Sequence, residues 1–116
     1  MNKHASLNLI HILECIDRIY NYTENNRELF INDGKTHDAV IRNLQTMAES
    51  SQKLPKEIKD KYPEIKWNQI SGFRNILVHD YLGDINKEQI WNIIEKYLPE
   101  LQKAINKEMP DWKNHN

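Results

Sequence analysis

An all-α fold is the class this sequence predicts, and three observations carry the prediction. Apolar residues recur at spacings of three and four along most of the chain. Glycine and proline are scarce, at 3 and 4 of 116 residues, in a background of Leu, Ile, Lys, Glu and Asn. No alternation of apolar and polar residues is long enough to nominate a strand. The expected architecture is an antiparallel bundle of four main helices plus one short helix, built as one domain over 1–116.

The first helix is predicted over about 6–30, with Leu9, Ile12, Leu13, Ile16, Ile19 and Tyr20 on its buried side. Asn32-Asp33-Gly34 is a turn signal that closes it. The second begins near Thr36 as cap, with Asp38 favourable in the first turn and Val40, Leu44, Met47 and Ala48 as its apolar stripe. Glu49 lies beside that stripe. Pro55 suits a first helical position, and a short helix over Lys56–Lys61 should end before Pro63. A fourth element starts near Glu64 or Trp67, buries Trp67, Ile70, Phe73, Leu77 and Val78, and ends at Gly83. Asn86, with Gln89 three residues on, reads as the cap of the last helix. That helix carries Ile90, Ile93, Ile94, Tyr97, Leu98, Leu101 and Ile105, and Pro99 should kink or break it near Leu98. Residues 109–116 read as a frayed tail in which Trp112 stands free of the core pattern.

Composition narrows function by exclusion. A net charge of −1 is not that of a chain that coats nucleic acid indiscriminately, although a local basic cleft remains compatible with it. A single cysteine, Cys15, excludes an internal disulfide and a multi-cysteine metal site. No apolar run approaches a membrane span, and the first ten residues lack a signal core. The expected location is the cytosol of a bacterial or archaeal-type cell. No histidine pair has metal-site spacing, no Gly-rich loop suits a triphosphate, and no serine sits in a nucleophile elbow, so no metal and no cofactor are expected. Trp67, Phe73, Trp91 and Tyr97 could stack on bases, but their spacing with aliphatic residues reads as core.

One stretch does not fit a core-packing helix: Ser-Gly-Phe-Arg-Asn-Ile-Leu-Val-His-Asp-Tyr-Leu-Gly-Asp, residues 71–84. Asn75 and His79 are four apart and share a helical face. Arg74 and His79 are five apart, about 140° around the axis at ~100° per residue. For these two to cooperate, Arg74 must curl round, the helix must loosen, or a second copy must supply a partner. Ile76, Leu77 and Val78 could seed such a dimer face. The chemistry suits RNA cleavage without a metal. Histidine can take the proton of the 2′-hydroxyl, which attacks the adjacent phosphorus, and arginine can stabilise charge on the phosphoryl oxygens. Asn75 can orient either the histidine or the phosphate.

Arg74 to Tyr81 resembles the Arg-x-x-x-x-His-x-Tyr motif of HEPN-domain toxins, specifically the HepT-like family. Residues 37–45 (HDAVIRNLQ), Leu54-Pro55, residues 62–70 (YPEIKWNQI) and residues 91–101 resemble that family too, in order and spacing. One departure is Ala48-Glu49-Ser50, where the family often has Gly-Glu-Ala; the glutamate is kept. The resemblance implies a HEPN-like homodimer with both motifs facing one cleft, and a metal-independent ribonuclease that is toxic to its own cell. Arg74 and His79 would be catalytic, with Asn75, Glu49 and Asp80 in support. It further implies a type VII-like toxin–antitoxin pair, in which a small MNT-type nucleotidyltransferase silences the toxin by transferring AMP to Tyr81. Two other readings compete: a non-catalytic HEPN module that binds nucleotide or docks a nucleotidyltransferase, and a structural dimer whose motif only builds the interface.

Overall fold

A computed structural model describes residues 2–81 and 86–114, without the side chains of 78–81 and 114. All regular structure among them is helical: α1 (Lys3–Thr23), α2 (Arg27–Asn32), α3 (Gly34–Gln52), α4 (Lys56–Lys61), α5 (Trp67–Ser71), α6 (Phe73–Tyr81), α7 (Lys87–Glu108) and a closing 3₁₀ turn (Trp112–Asn114). The helical class holds, and the count of four main helices and one short one does not.

The expected first helix is two. α1 stops at Thr23 because Glu24 and Asn25 both turn left-handed, at φ 51° and 54°. Asn26 then caps α2, its side chain accepting from the amides of Glu28 and Leu29 at 2.9 and 3.3 Å. Asn25-Asn26, inside the polar run of residues 23–28, was therefore a break signal. α3 starts two residues earlier than Thr36, because the Asp33 side chain accepts from the Thr36 amide at 3.0 Å and takes the cap position. Pro55 caps α4 and precedes its first residue.

The fourth expected helix is also divided. Gly72 joins α5 to α6, its amide donating to Asn68 O at 3.0 Å. The expected stop at Gly83 lies outside the described residues. Asn86 caps α7 as expected, although its side chain accepts from the Glu88 amide. Pro99 does not break α7, which runs on to Glu108. Buried Leu98, Leu101, Ala104 and Ile105 hold the segment on the core, which offsets the hydrogen bond that proline removes.

α1 and α3 pack along their lengths, with Cys15 Sγ 3.4 Å from Thr46 Oγ1. α7 runs antiparallel to α1. At its start, Lys87 donates to Ile31 O and Glu88 pairs with Arg27. At its end Glu108 meets Lys61 and Tyr62. The core between them contains Leu9, Ile12, Leu13, Ile16, Phe30, Leu44, Met47, Ile90 and Ile94, all nearly without exposure. Phe73 and Trp91 are buried and Tyr97 packs against the core, so the aromatic residues expected inside are inside. Trp112 corrects the expectation of a free side chain: it too is packed on the core, and Lys113 lies 3.8 Å from Asp17. The described part of the tail is therefore anchored.

The Tyr62 hydroxyl donates to Glu108 at 2.6 Å, which ties the α4 end to the α7 end. That hydrogen bond, with Lys61 behind it, holds the Glu108 carboxyl below its ordinary range. Burial, then Glu108, pushes the Tyr62 hydroxyl up to about 12. The depressed Glu108 value contributes stability above pH 4.5 that is lost as pH falls through the folded value. The raised Tyr62 value contributes below pH 10.0, and that contribution disappears on approach to about 12. Tyr62→Phe is expected to cost about 1.5–3 kcal/mol at neutral pH, the worth of a hydrogen bond to a charged group. Thermal unfolding across pH checks this. An unchanged midpoint with an unchanged acid limb contradicts it.

Candidate functional site

α6 is one uninterrupted helix from Phe73 to Tyr81. The possibility that the helix loosens between Arg74 and His79 is therefore removed. Their backbones stand about 140° apart around the axis and ~7.5 Å apart along it. Asn75 and His79 sit one turn apart on the same side.

Arg74 is the second residue of α6 and is exposed. It turns toward α3, where its guanidinium donates to Gln52 Oε1 at 3.2 Å. The Gln52 amide in turn donates to Ser71 O at 3.5 Å. One glutamine thus links the end of α3 to the start of α6 and orients the arginine. Gln52, Ser71, Gly72, Arg74 and Asn75 line an open depression of about 390 Å³. Its position at the first turn of α6 adds the partial positive charge of a helix N-terminus to the fixed charge of Arg74. Both favour an anion with several acceptor oxygens, and a guanidinium fork fits a phosphate.

Asn75 shares the depression and is exposed, and its amide donates to Gly72 O at 3.0 Å. Glu49 is exposed on α3, one turn before Gln52. The α3 side chain that reaches Arg74 is Gln52, not Glu49. Gln52 escaped the sequence reading because it lies in a polar run, Ser50-Ser51-Gln52-Lys53, with no motif of its own. The side chains of His79, Asp80 and Tyr81 lie outside the described residues.

A second candidate pair is weaker. Cys15 Sγ lies 3.5 Å from His11 Nε2, at the i,i+4 spacing of α1. Burial pushes the Cys15 thiol up, which disfavours the thiolate a nucleophile needs. Among the described residues no three His, Cys, Asp or Glu side chains group closely enough to hold a metal ion. No helix of the described residues is long and apolar enough to cross a membrane.

A family model described as "Ribonuclease HepT-like" matches residues 12–108. "Putative RNase MJ1216" of Methanocaldococcus jannaschii is 36% identical over 104 residues, covering 89% of this chain and 85% of that one. "Putative RNase TTE0752" of Caldanaerobacter subterraneus is 37% identical over 98 residues, covering 84% and 87%. "Probable ribonuclease HepT" of Thermococcus cleftensis is 34% identical over 100 residues, covering 83% and 87%. No solved structure matches the chain significantly.

Proposed function

The chain belongs to the HepT-like ribonuclease family, and from that premise we propose that it is a metal-independent endoribonuclease acting as the toxin of a toxin–antitoxin pair. The observation that carries the reading is Arg74: exposed, held by Gln52, and placed at the positive end of α6 beside an open depression. His79 takes the proton from a ribose 2′-hydroxyl. The freed oxygen attacks the adjacent phosphorus, and Arg74 stabilises the charge that builds on the phosphoryl oxygens. The bond to the 5′-oxygen breaks, that oxygen takes up a proton from water, and the His79 imidazolium returns its own to solvent. The products are a 2′,3′-cyclic phosphate and a 5′-hydroxyl. Asn75 orients the reacting groups, with Glu49 and Asp80 in support.

The site is completed by a second copy of the chain. Within one copy Arg74 is turned to α3 and stands about 140° from His79 on a regular helix. A two-fold pair lets the arginine of one copy meet the histidine of the other. The cognate partner is an MNT-type nucleotidyltransferase that silences the enzyme by placing AMP on Tyr81. The active form is a cytosolic homodimer of one-domain chains.

The test is direct. Purified protein in excess EDTA is expected to scatter light as a dimer at micromolar concentration and to cleave RNA to fragments ending in cyclic phosphate. Folded dimer that leaves RNA intact favours a non-catalytic module. A stable monomer that cleaves contradicts the shared site.

A further inference from the structure

An open groove of about 950 Å³ lies between α4 and α5 and is lined in part by Lys56, Lys59, Lys66 and Trp67. It takes no part in the chemistry described above, but it adjoins the Arg74 depression. One wall of the groove holds Leu54 and the depression holds Gln52, two residues away. The other wall holds Gln69 and the depression holds Ser71, again two residues away. Two residues span at most about 7 Å of chain. The rims of the two hollows therefore approach within about 7 Å at two points along the seam between the end of α3 and α5.

The charge of the groove opposes that of the whole chain. Its lining holds three lysines and one acidic residue, Asp60, in a protein of net charge −1. Lys56 pairs with Asp60 at 3.1 Å. Among the described residues neither Lys59 nor Lys66 forms an ion pair. The indole N–H of Trp67 donates to Lys59 O at 3.1 Å and to Tyr62 O at 3.2 Å. This fastens the end of α4 to the start of α5 and fixes the backbone that carries Lys59. The result is a preformed groove with a net positive lining, whose rim lies near that of the Arg74 depression.

We propose that this groove is an extended subsite for single-stranded RNA, in which Lys59 and Lys66 hold backbone phosphates a few nucleotides from the one at Arg74. The proposal rests on the reading of Arg74 as the phosphate-binding group. Its occupant follows from charge complementarity: a polyanion continuous with the strand at Arg74 meets cations spaced along the seam. The lysines supply sequence-independent affinity, so the groove favours longer single strands over short ones without selecting a sequence.

The experiment measures binding of a fluorescent, unstructured 12-nucleotide RNA to His79→Ala protein by anisotropy, over a range of salt. Adding Lys59→Gln and Lys66→Gln is expected to weaken binding at least tenfold. It should also reduce the slope of log affinity against log salt by about 1.4, at ~0.7 per phosphate contact on a single strand. Adding Lys103→Gln and Lys107→Gln, exposed on α7, removes the same charge away from the seam and should leave affinity unchanged. Equal affinity of groove-substituted and parent protein overturns the proposal. So does equal loss in both double variants. The ribonuclease reading is judged separately, by cleavage with the unsubstituted protein. Loss of binding in the groove variant, alongside an unsubstituted protein that cuts nothing, supports the subsite and sinks the enzyme.

Discussion

His79→Ala and Arg74→Ala are each expected to abolish RNA cleavage while leaving a folded dimer. Loss of a general base or of the cation that stabilises the transition state costs on the order of 100-fold or more in rate. Arg74 is exposed and sits at a helix start, and its described hydrogen bond is to Gln52, so its removal leaves the core intact. A mixture of the two variants goes further. If the arginine of one copy serves the histidine of the other, each mixed dimer holds one intact site and one lacking both groups. With random exchange, half of the dimers are mixed, and roughly a quarter of the original activity returns. If each copy carries its own pair, every site in the mixture lacks one group and nothing returns. Unfolding the variants together, refolding them and assaying RNA cleavage separates these outcomes. Full activity in His79→Ala protein defeats the catalytic assignment outright.

Incubation with the proposed partner, an MNT-type nucleotidyltransferase, together with ATP and magnesium is expected to add one or more AMP units to Tyr81 and to silence cleavage. Tyr81 is the last residue of α6 and follows His79 by two. An AMP group there brings a phosphate, with its negative charge and bulk, to the same helix as Arg74 and His79. It competes with the RNA phosphate for the guanidinium and obstructs the groove. Tyr81→Phe removes the acceptor oxygen, so it should resist silencing and retain some cleavage. Mass spectrometry locates the group. AMP at another residue of Tyr81→Phe protein, with cleavage still silenced, contradicts the assignment.

Several features could be read from residue order alone. The apolar periods gave the helical class and much of the core, because burial of a helical face demands a 3.6-residue repeat wherever it occurs. The Arg-x-x-x-x-His-x-Tyr pattern pointed to the family that the comparisons bear out over residues 12–108. Pattern reading failed where a local conformational choice interrupts a predicted helix. Glu24 and Asn25 turn left-handed inside a polar run, residues 23–28, that the predicted first helix spanned, and Gly72 divides a helix whose hydrophobic spacing continues across it. The break expected at Pro99 did not occur, since burial of the flanking residues offsets the lost hydrogen bond.

By itself the sequence determined which residue types are available for chemistry and which faces must be buried. Both are properties of composition and of period along one chain. Tertiary structure alone decided that Gln52, from the polar end of α3, reaches Arg74 across 22 positions of sequence. It alone also set the lysines of α4 and of the α4–α5 connection beside the same seam. Such neighbours arise because Trp67 fastens α4 to α5 through carbonyls of Lys59 and Tyr62, and because α3 packs against both α5 and α6. No periodicity encodes which polar surfaces meet once the apolar ones are buried, so contacts between them exist only in the folded chain.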